Sequence, residues 1–162
     1  MRPLRQTPYR TPEAVSAAMK DLIKGKVVCD LGCAEGDHLA FLSRYARKVI
    51  GVENDAARYI HAVNRGFEVV VGNYLSCELP DAEVYYAWPD DGPRDNRVLV
   101  TRLKEKQPCT LVLAADRGFP YEVQPVEKLA EDYGGRLMEV SFNEGPKPRQ
   151  SGIFLLCVLE LR

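Results

Sequence analysis

The sequence predicts one α/β domain: a three-layer sandwich with a mostly parallel, seven-stranded sheet and an antiparallel hairpin strand at its C-terminal end. Three observations predict it. The stretch Lys26 to Gly36, KVVCDLGCAEG, passes from an apolar run to an acid and a glycine turn, and helix-like sequence follows. Strand-like runs then alternate with helix-period segments. Finally, the last two runs are joined by a loop with no helix, so they pair antiparallel, because a parallel crossover needs a dozen or more residues and usually a helix.

The elements follow in chain order. Residues 1–10 hold Arg2, Arg5, Arg10, Pro3 and Pro8, and read as a flexible arm ahead of the single domain, 11–162. Thr11-Pro12-Glu13 is a helix start, a capping hydroxyl followed by proline at the first helical position. Val15, Ala18, Met19, Leu22 and Ile23 repeat at helical spacing, and Gly25 ends that helix. The first strand is Val27 to Cys29 and its continuation to Asp30. The next helix runs from Asp37 to about Arg47, with Leu39, Leu42 and Ala46 inward.

Strand 2 is Lys48 to Val52 and ends at Glu53. Asn54-Asp55 starts a helix with Ala56, Ile60 and Val63 inward, closed by Gly66. Strand 3 is Phe67 to Val71, and strand 4 about Glu83 to Ala87. A helix of about Arg94 to Lys106 stops before Pro108. Strand 5 is Thr110 to Ala115. Phe119 to Gln124 reads as a loop before a short helix with Val126, Leu129, Ala130 and Tyr133 aligned. Strand 6, Arg136 to Phe142, alternates Met138, Val140 and Phe142 against Glu139 and Ser141. Asn143 to Gly152 is a loop, and strand 7 is Ile153 to Leu161.

Bulk properties narrow the function. The chain has 162 residues, 46% hydrophobic and 28% charged, which suits one soluble globular domain with a real core. A net charge of -1 gives no global field for nucleic acid or an anionic membrane. No apolar run is long enough to cross a bilayer, and no signal peptide is seen. The five cysteines make no C-x-x-C pair, so they read as reduced, mostly buried thiols in a cytoplasmic protein.

The glycine turn sets the ligand. Asp30-x-Gly32-x-Ala34-x-Gly36 begins with an acid and lacks the G-x-G-x-x-G of dinucleotide sites; no P-loop pattern occurs either. Ala34 fits in the middle position if φ stays below zero there. Glu53, at the end of strand 2, stands where an acid can accept both ribose hydroxyls of a nucleoside.

The pattern resembles motif I of the class I, Rossmann-like, S-adenosylmethionine-dependent methyltransferases, acid-x-Gly-x-Gly-x-Gly. The strand order with its terminal hairpin resembles them too, over nearly the whole chain. The resemblance implies S-adenosylmethionine as cofactor, held by Asp30, Gly32, Cys33, Ala34, Gly36, Glu53, Asn54, Asn73, Tyr74 and Trp88. It implies that Asp30 helps bind the methionyl amino group, that Glu53 is the ribose acid, and that Asn73 stands in for the aspartate that accepts from adenine N6. Asn54 replaces the apolar residue that commonly packs on adenine.

Tyr86, Trp88, Pro89, Asp90 and Asp91 end strand 4, where the family keeps the motif beside the transferring methyl group. Ala87-Trp88-Pro89-Asp90 keeps one of that motif's prolines, so the amino-nitrogen substrate class does not carry over. Asp90, Asp91 and Asp116 are the candidates to orient or deprotonate a nucleophile. Tyr85 reads as core. Glu35, Asp37 and His38 beside Cys33 match no zinc spacing and read as a polar helix start, so no metal is expected.

The expected function is transfer of a methyl group to an unidentified small-molecule or protein acceptor. The alternative is a non-catalytic protein of the same fold serving as a binding or regulatory subunit, favoured by small size, the absence of a substrate lid and the motif departures. A nicotinamide oxidoreductase would need the glycine spacing that is absent. A homodimer through strand edges or the Arg94 helix is allowed, with no feature that requires it. The basic loop Lys147 to Arg149 reads as solvated charge.

Overall fold

The computed structural model describes residues 11–89, 92–106, 108–147 and 150–162. The elements run α1 (Glu13–Ala18), α2 (Lys20–Ile23), β1 (Val27–Leu31), α3 (Asp37–Leu42), β2 (Lys48–Glu53), α4 (Ala56–Asn64), β3 (Val69–Val71) and β4 (Val84–Ala87). They continue with α5 (Gly92–Lys104), β5 (Cys109–Asp116), α6 (Pro120–Tyr133), β6 (Arg136–Asn143) and β7 (Ser151–Leu161). The arm 1–10, Asp90 and Asp91 lie outside the described residues.

The seven strands form one sheet in the order β3-β2-β1-β4-β5-β7-β6. β1, β2, β3, β4 and β5 pair in parallel, whereas β7 runs antiparallel between β5 and β6. The order reverses between β1 and β4, which is the topological switch point of such sheets.

Burial on both faces explains the unbroken apolar runs. β4 is VYYA, buried throughout, and β5 is buried from Cys109 to Ala115. One face packs Leu99, Val100 and Leu103 of α5, with Val123, Val126 and Leu129 of α6, onto Cys29, Leu31, Tyr85 and Leu113. The other packs Val15, Met19, Ile23 and Leu42 onto Val28, Tyr86, Val112 and Leu156. Every cysteine is free, and four of the five are buried, so they serve as small apolar side chains.

Several expectations change. Thr11 does not cap α1. Its hydroxyl hydrogen-bonds the Tyr86 hydroxyl at 2.9 Å, and Pro12 takes the cap position with no side-chain bond. The single helix expected up to Ile23 is interrupted at Met19, giving α1 and α2. β3 begins at Val69, not Phe67, because Phe67 leaves the strand line to pack its ring on Gly36.

α4 turns only Ala62 fully inward; Ile60 and Val63 are exposed, and so is Val71 on the neighbouring edge strand. No helix joins β3 to β4. Residues 119–124 are mostly helix rather than loop: α6 starts at Pro120 and continues through Pro125. Proline suits the first helical position, and the bond that Pro125 forgoes is outweighed by the burial of Val123, Val126 and Leu129.

Candidate functional site

The site is built at the C-terminal ends of β1 and β2. β1 and β2 pair in register through Leu31 and Val52, and the chain then turns sharply. Gly32 N–H (2.8 Å) and Cys33 N–H (3.0 Å) both donate to Val52 O, and Gly36 N–H donates to Cys33 O at 3.1 Å. Gly32 and Gly36 have φ of 80° and 96°, a region open to glycine and costly to other residues.

Ala34 also lies at positive φ, 50°, which corrects the expectation that it stays below zero. The turn has a left-handed residue at each of the three motif positions, one of them carrying a Cβ. Its N–H is what holds it there. That group donates to Glu53 Oε1 at 2.8 Å, while Glu53 Oε2 accepts from Asp55 N–H at 2.7 Å. One buried carboxylate thereby ties the glycine turn of β1 to the start of α4.

Asp30 lies one strand over. It is 2% exposed and is the register partner of Tyr86 on β4. Burial, and then the nearby Glu53 charge, push its carboxyl up to about 8, so at neutral pH it holds its proton.

The other expected residues divide. Cys33 packs its Sγ where a Cβ on Gly51 would stand. Asn54 is exposed beyond β2. Asn73 spends its side-chain oxygen on Leu75 N–H at 2.9 Å, closing an Asx turn. Tyr74 reaches over Gly32, its ring 3.6 Å from the position a Cβ would take there. Arg102 of α5 fixes this segment by donating to the carbonyls of Tyr74 and Cys77.

On the β4 side, Tyr85 is core, donating to Pro80 O at 2.5 Å. Trp88 is half-buried, lies edge-on to Phe154 at 4.9 Å, and donates its indole N–H to Glu122. Asp116 is the register partner of Phe154 and accepts from Gly118 N–H at 2.8 Å. Trp88, just past β4, and Asp116, at the end of β5, thus stand at the same sheet end as Asp30 and Glu53, on the β4–β5 side of it.

Two residues were missed. Glu122 is buried at 4% exposure; its signal was an acid two residues after a proline that opens a helix. His38 is also buried, with its ring 4.4 Å from that of Tyr86. Among the described residues no group of three His, Cys, Asp or Glu side chains could hold a metal ion. Among them, too, no helix is long and apolar enough to cross a membrane.

A carboxylate has about four acceptor positions, and N–H donors take two of those of Glu53, which leaves room for two further donors. Gly32 presents bare backbone beneath the Tyr74 ring.

Comparison with known proteins bears on the fold. The sequence profile of a family described as Methionine biosynthesis protein MetW matches residues 14–82, the segment that holds the turn and Glu53. No curated protein sequence matches the chain. Among solved structures, a dimethyladenosine transferase from Plasmodium falciparum has a TM-score of 0.65 at 17% identity, covering 91% of this chain. This chain spans only 60% of the length of that protein. The C-terminal domain of precorrin-6Y C5,15-methyltransferase from Rhodobacter capsulatus has a TM-score of 0.68 at 19% identity, covering 91% of this chain and 87% of its own. A TehB-like SAM-dependent methyltransferase from Corynebacterium glutamicum has a TM-score of 0.65 at 17% identity, covering 98% of this chain and 92% of its own. With the strand order β3-β2-β1-β4-β5-β7-β6, these likenesses establish the fold as the Rossmann-like fold of the class I methyltransferases.

Proposed function

We propose that this protein binds S-adenosylmethionine across the ends of β1 and β2 and transfers its methyl group to an acceptor seated beside β4. The observation that carries the reading is the Glu53 carboxylate, buried, bonded to the turn through Ala34 N–H, and holding spare acceptor positions at the sheet end. When bound, the cofactor supplies a methyl group activated by a sulfonium. The protein's part is to bind, orient and exclude water. Glu53 accepts the ribose hydroxyls. Asp30 faces the methionyl ammonium, which favours its ionised form. Tyr74 covers Gly32. Trp88, fixed by Glu122, walls the acceptor side, with Asp116 at the same end and Asp90 and Asp91 following in sequence.

A second reading, a non-catalytic protein that binds the cofactor weakly or not at all, is favoured by Ala34 in the left-handed region and by Tyr74 and Phe67 lying over Gly32 and Gly36. Calorimetric titration with S-adenosylmethionine, S-adenosylhomocysteine and NAD, repeated on Glu53→Ala, tests both. The expected result is micromolar binding of the first two and at least a tenfold loss in the variant, because charge-assisted bonds contribute roughly 1.5–3 kcal/mol. Absence of binding by both sulfur compounds removes the methyltransferase reading. NAD binding alone means that the turn serves a different cofactor.

A further inference from the structure

His38 is the second residue of α3, directly after the glycine turn, and is 4% exposed. Neither of its ring nitrogens has a hydrogen-bond partner among the described residues. Buried polar groups left unmet are costly, and a phenyl ring would fill similar space without that penalty. The imidazole lies against Tyr86, ring centroids 4.4 Å apart and tilted by 48°. Tyr86 is the register partner of Asp30, so both side chains leave the same sheet face from neighbouring strands, roughly 4.8 Å apart. The Thr11 hydroxyl meets the Tyr86 hydroxyl at 2.9 Å. These groups converge where the strand order reverses between β1 and β4, the place at which open α/β sheets take their ligands.

We propose that His38 belongs to the methyl-transfer site and that one of its ring nitrogens accepts a hydrogen bond from the incoming nucleophile, which limits the acceptor to a group bearing an N–H or O–H. The inference rests on the cofactor reading above. Burial holds the imidazole at about 3, so it is neutral across the physiological range, with one donor and one acceptor nitrogen. It is too weak a base to keep a proton at neutral pH. Its work is to aim the acceptor's lone pair at the methyl group: the acceptor–CH3 bond forms as the S–CH3 bond breaks, the sulfur keeps that electron pair as a neutral thioether, and the proton the acceptor sheds passes to water rather than staying on His38. The Trp88 ring, two residues beyond Tyr86, adds a flat apolar wall that suits a planar acceptor.

Sinefungin tests this, because an ammonium-bearing carbon replaces its methylated sulfur and puts N–H donors near the transferring position. Wild-type protein and His38→Phe are titrated with sinefungin and with S-adenosylhomocysteine. The expected result is S-adenosylhomocysteine affinity within about twofold and sinefungin weakened about tenfold, or 1.4 kcal/mol. Equal affinities of the variant and wild type for both ligands overturn the role of His38 and leave the cofactor site standing. If wild type binds neither ligand, the cofactor reading falls and takes this inference with it. The chain has only two histidines, so imidazole nitrogen NMR of wild type gives a readout independent of how the variant folds. The His38 signals are expected to move with sinefungin while those of His61, on the exposed side of α4, stay. Sinefungin binding with unmoved His38 signals overturns the proposal.

Discussion

Ala34 sits at φ 50° between two glycines that share its left-handed conformation. A Cβ there costs roughly 1–2 kcal/mol. Replacing it with glycine removes that strain but frees the unfolded chain, at a cost of about 0.4–1 kcal/mol. Ala34→Gly is therefore expected to stabilise the protein by up to about 1 kcal/mol, raising Tm by roughly 2–4 °C in a thermal melt. A lower Tm would mean that the Cβ contributes packing that outweighs the strain. The types and spacing of Asp30, Gly32, Gly36 and Glu53 could be read directly, because strand ends and glycine punctuation leave a pattern. The sign of one backbone angle does not. It follows here from the Ala34 N–H reaching Glu53, a contact between residues 19 apart in sequence. His38 and Glu122 were hidden for a related reason: burial of one polar side chain depends on what folds over it.

At the scale of elements, strands were more legible than helix faces. β5 from Leu111 to Ala115 and β7 from Phe154 to Leu159 are unbroken buried apolar runs, and such runs announce themselves. α4 misled, since Ala56, Ile60 and Val63 have helical spacing yet Ile60 is 55% exposed. The periodicity marks an apolar stripe but does not say whether a partner covers it. Here the segment after β3 takes no helical form and instead sends Tyr74, Cys77 and Leu79 to the opposite face, against the α5 cluster. Arg102 holds it there by donating to the backbone carbonyls of Tyr74 and Cys77. Arg102→Ala is expected to cost about 1 kcal/mol in denaturant melts, because water can meet part of the hydrogen bonding that these half-buried carbonyls lose. It should also raise amide hydrogen exchange at residues 74–77 while β1 and β5 stay protected. Unchanged exchange in that segment would show that the Asn73 turn suffices to hold it.

For the whole molecule, connection lengths carried part of the topology: the short loop between the last two strands forces β6 and β7 to pair antiparallel, whereas the insertion of β7 beside β5 was legible only through the resemblance. That topology brings two acids from β1 and β2 to one sheet end and couples them. Asp30 sits at about 8, raised by burial and then by Glu53. Between pH 4 and 8 the folded protein thus holds a proton that the unfolded chain has lost. The contribution of Asp30 to stability is complete below its ordinary carboxylate range and declines as pH rises toward about 8. A ligand ammonium set against Asp30 works in the other direction. It favours the carboxylate, so binding must expel a proton at neutral pH. Cys29 and Cys33 stay thiols in this window, because burial raises both well above it. S-adenosylhomocysteine affinity should therefore strengthen between pH 6 and 7.5, by at most about tenfold per unit for one proton released. Calorimetry at pH 7 in two buffers of different ionisation enthalpy counts that proton directly. Asp30→Asn is expected to abolish the slope while leaving Glu53 to hold the ribose. A slope that survives in Asp30→Asn assigns the proton to another group and removes Asp30 from the ammonium's place.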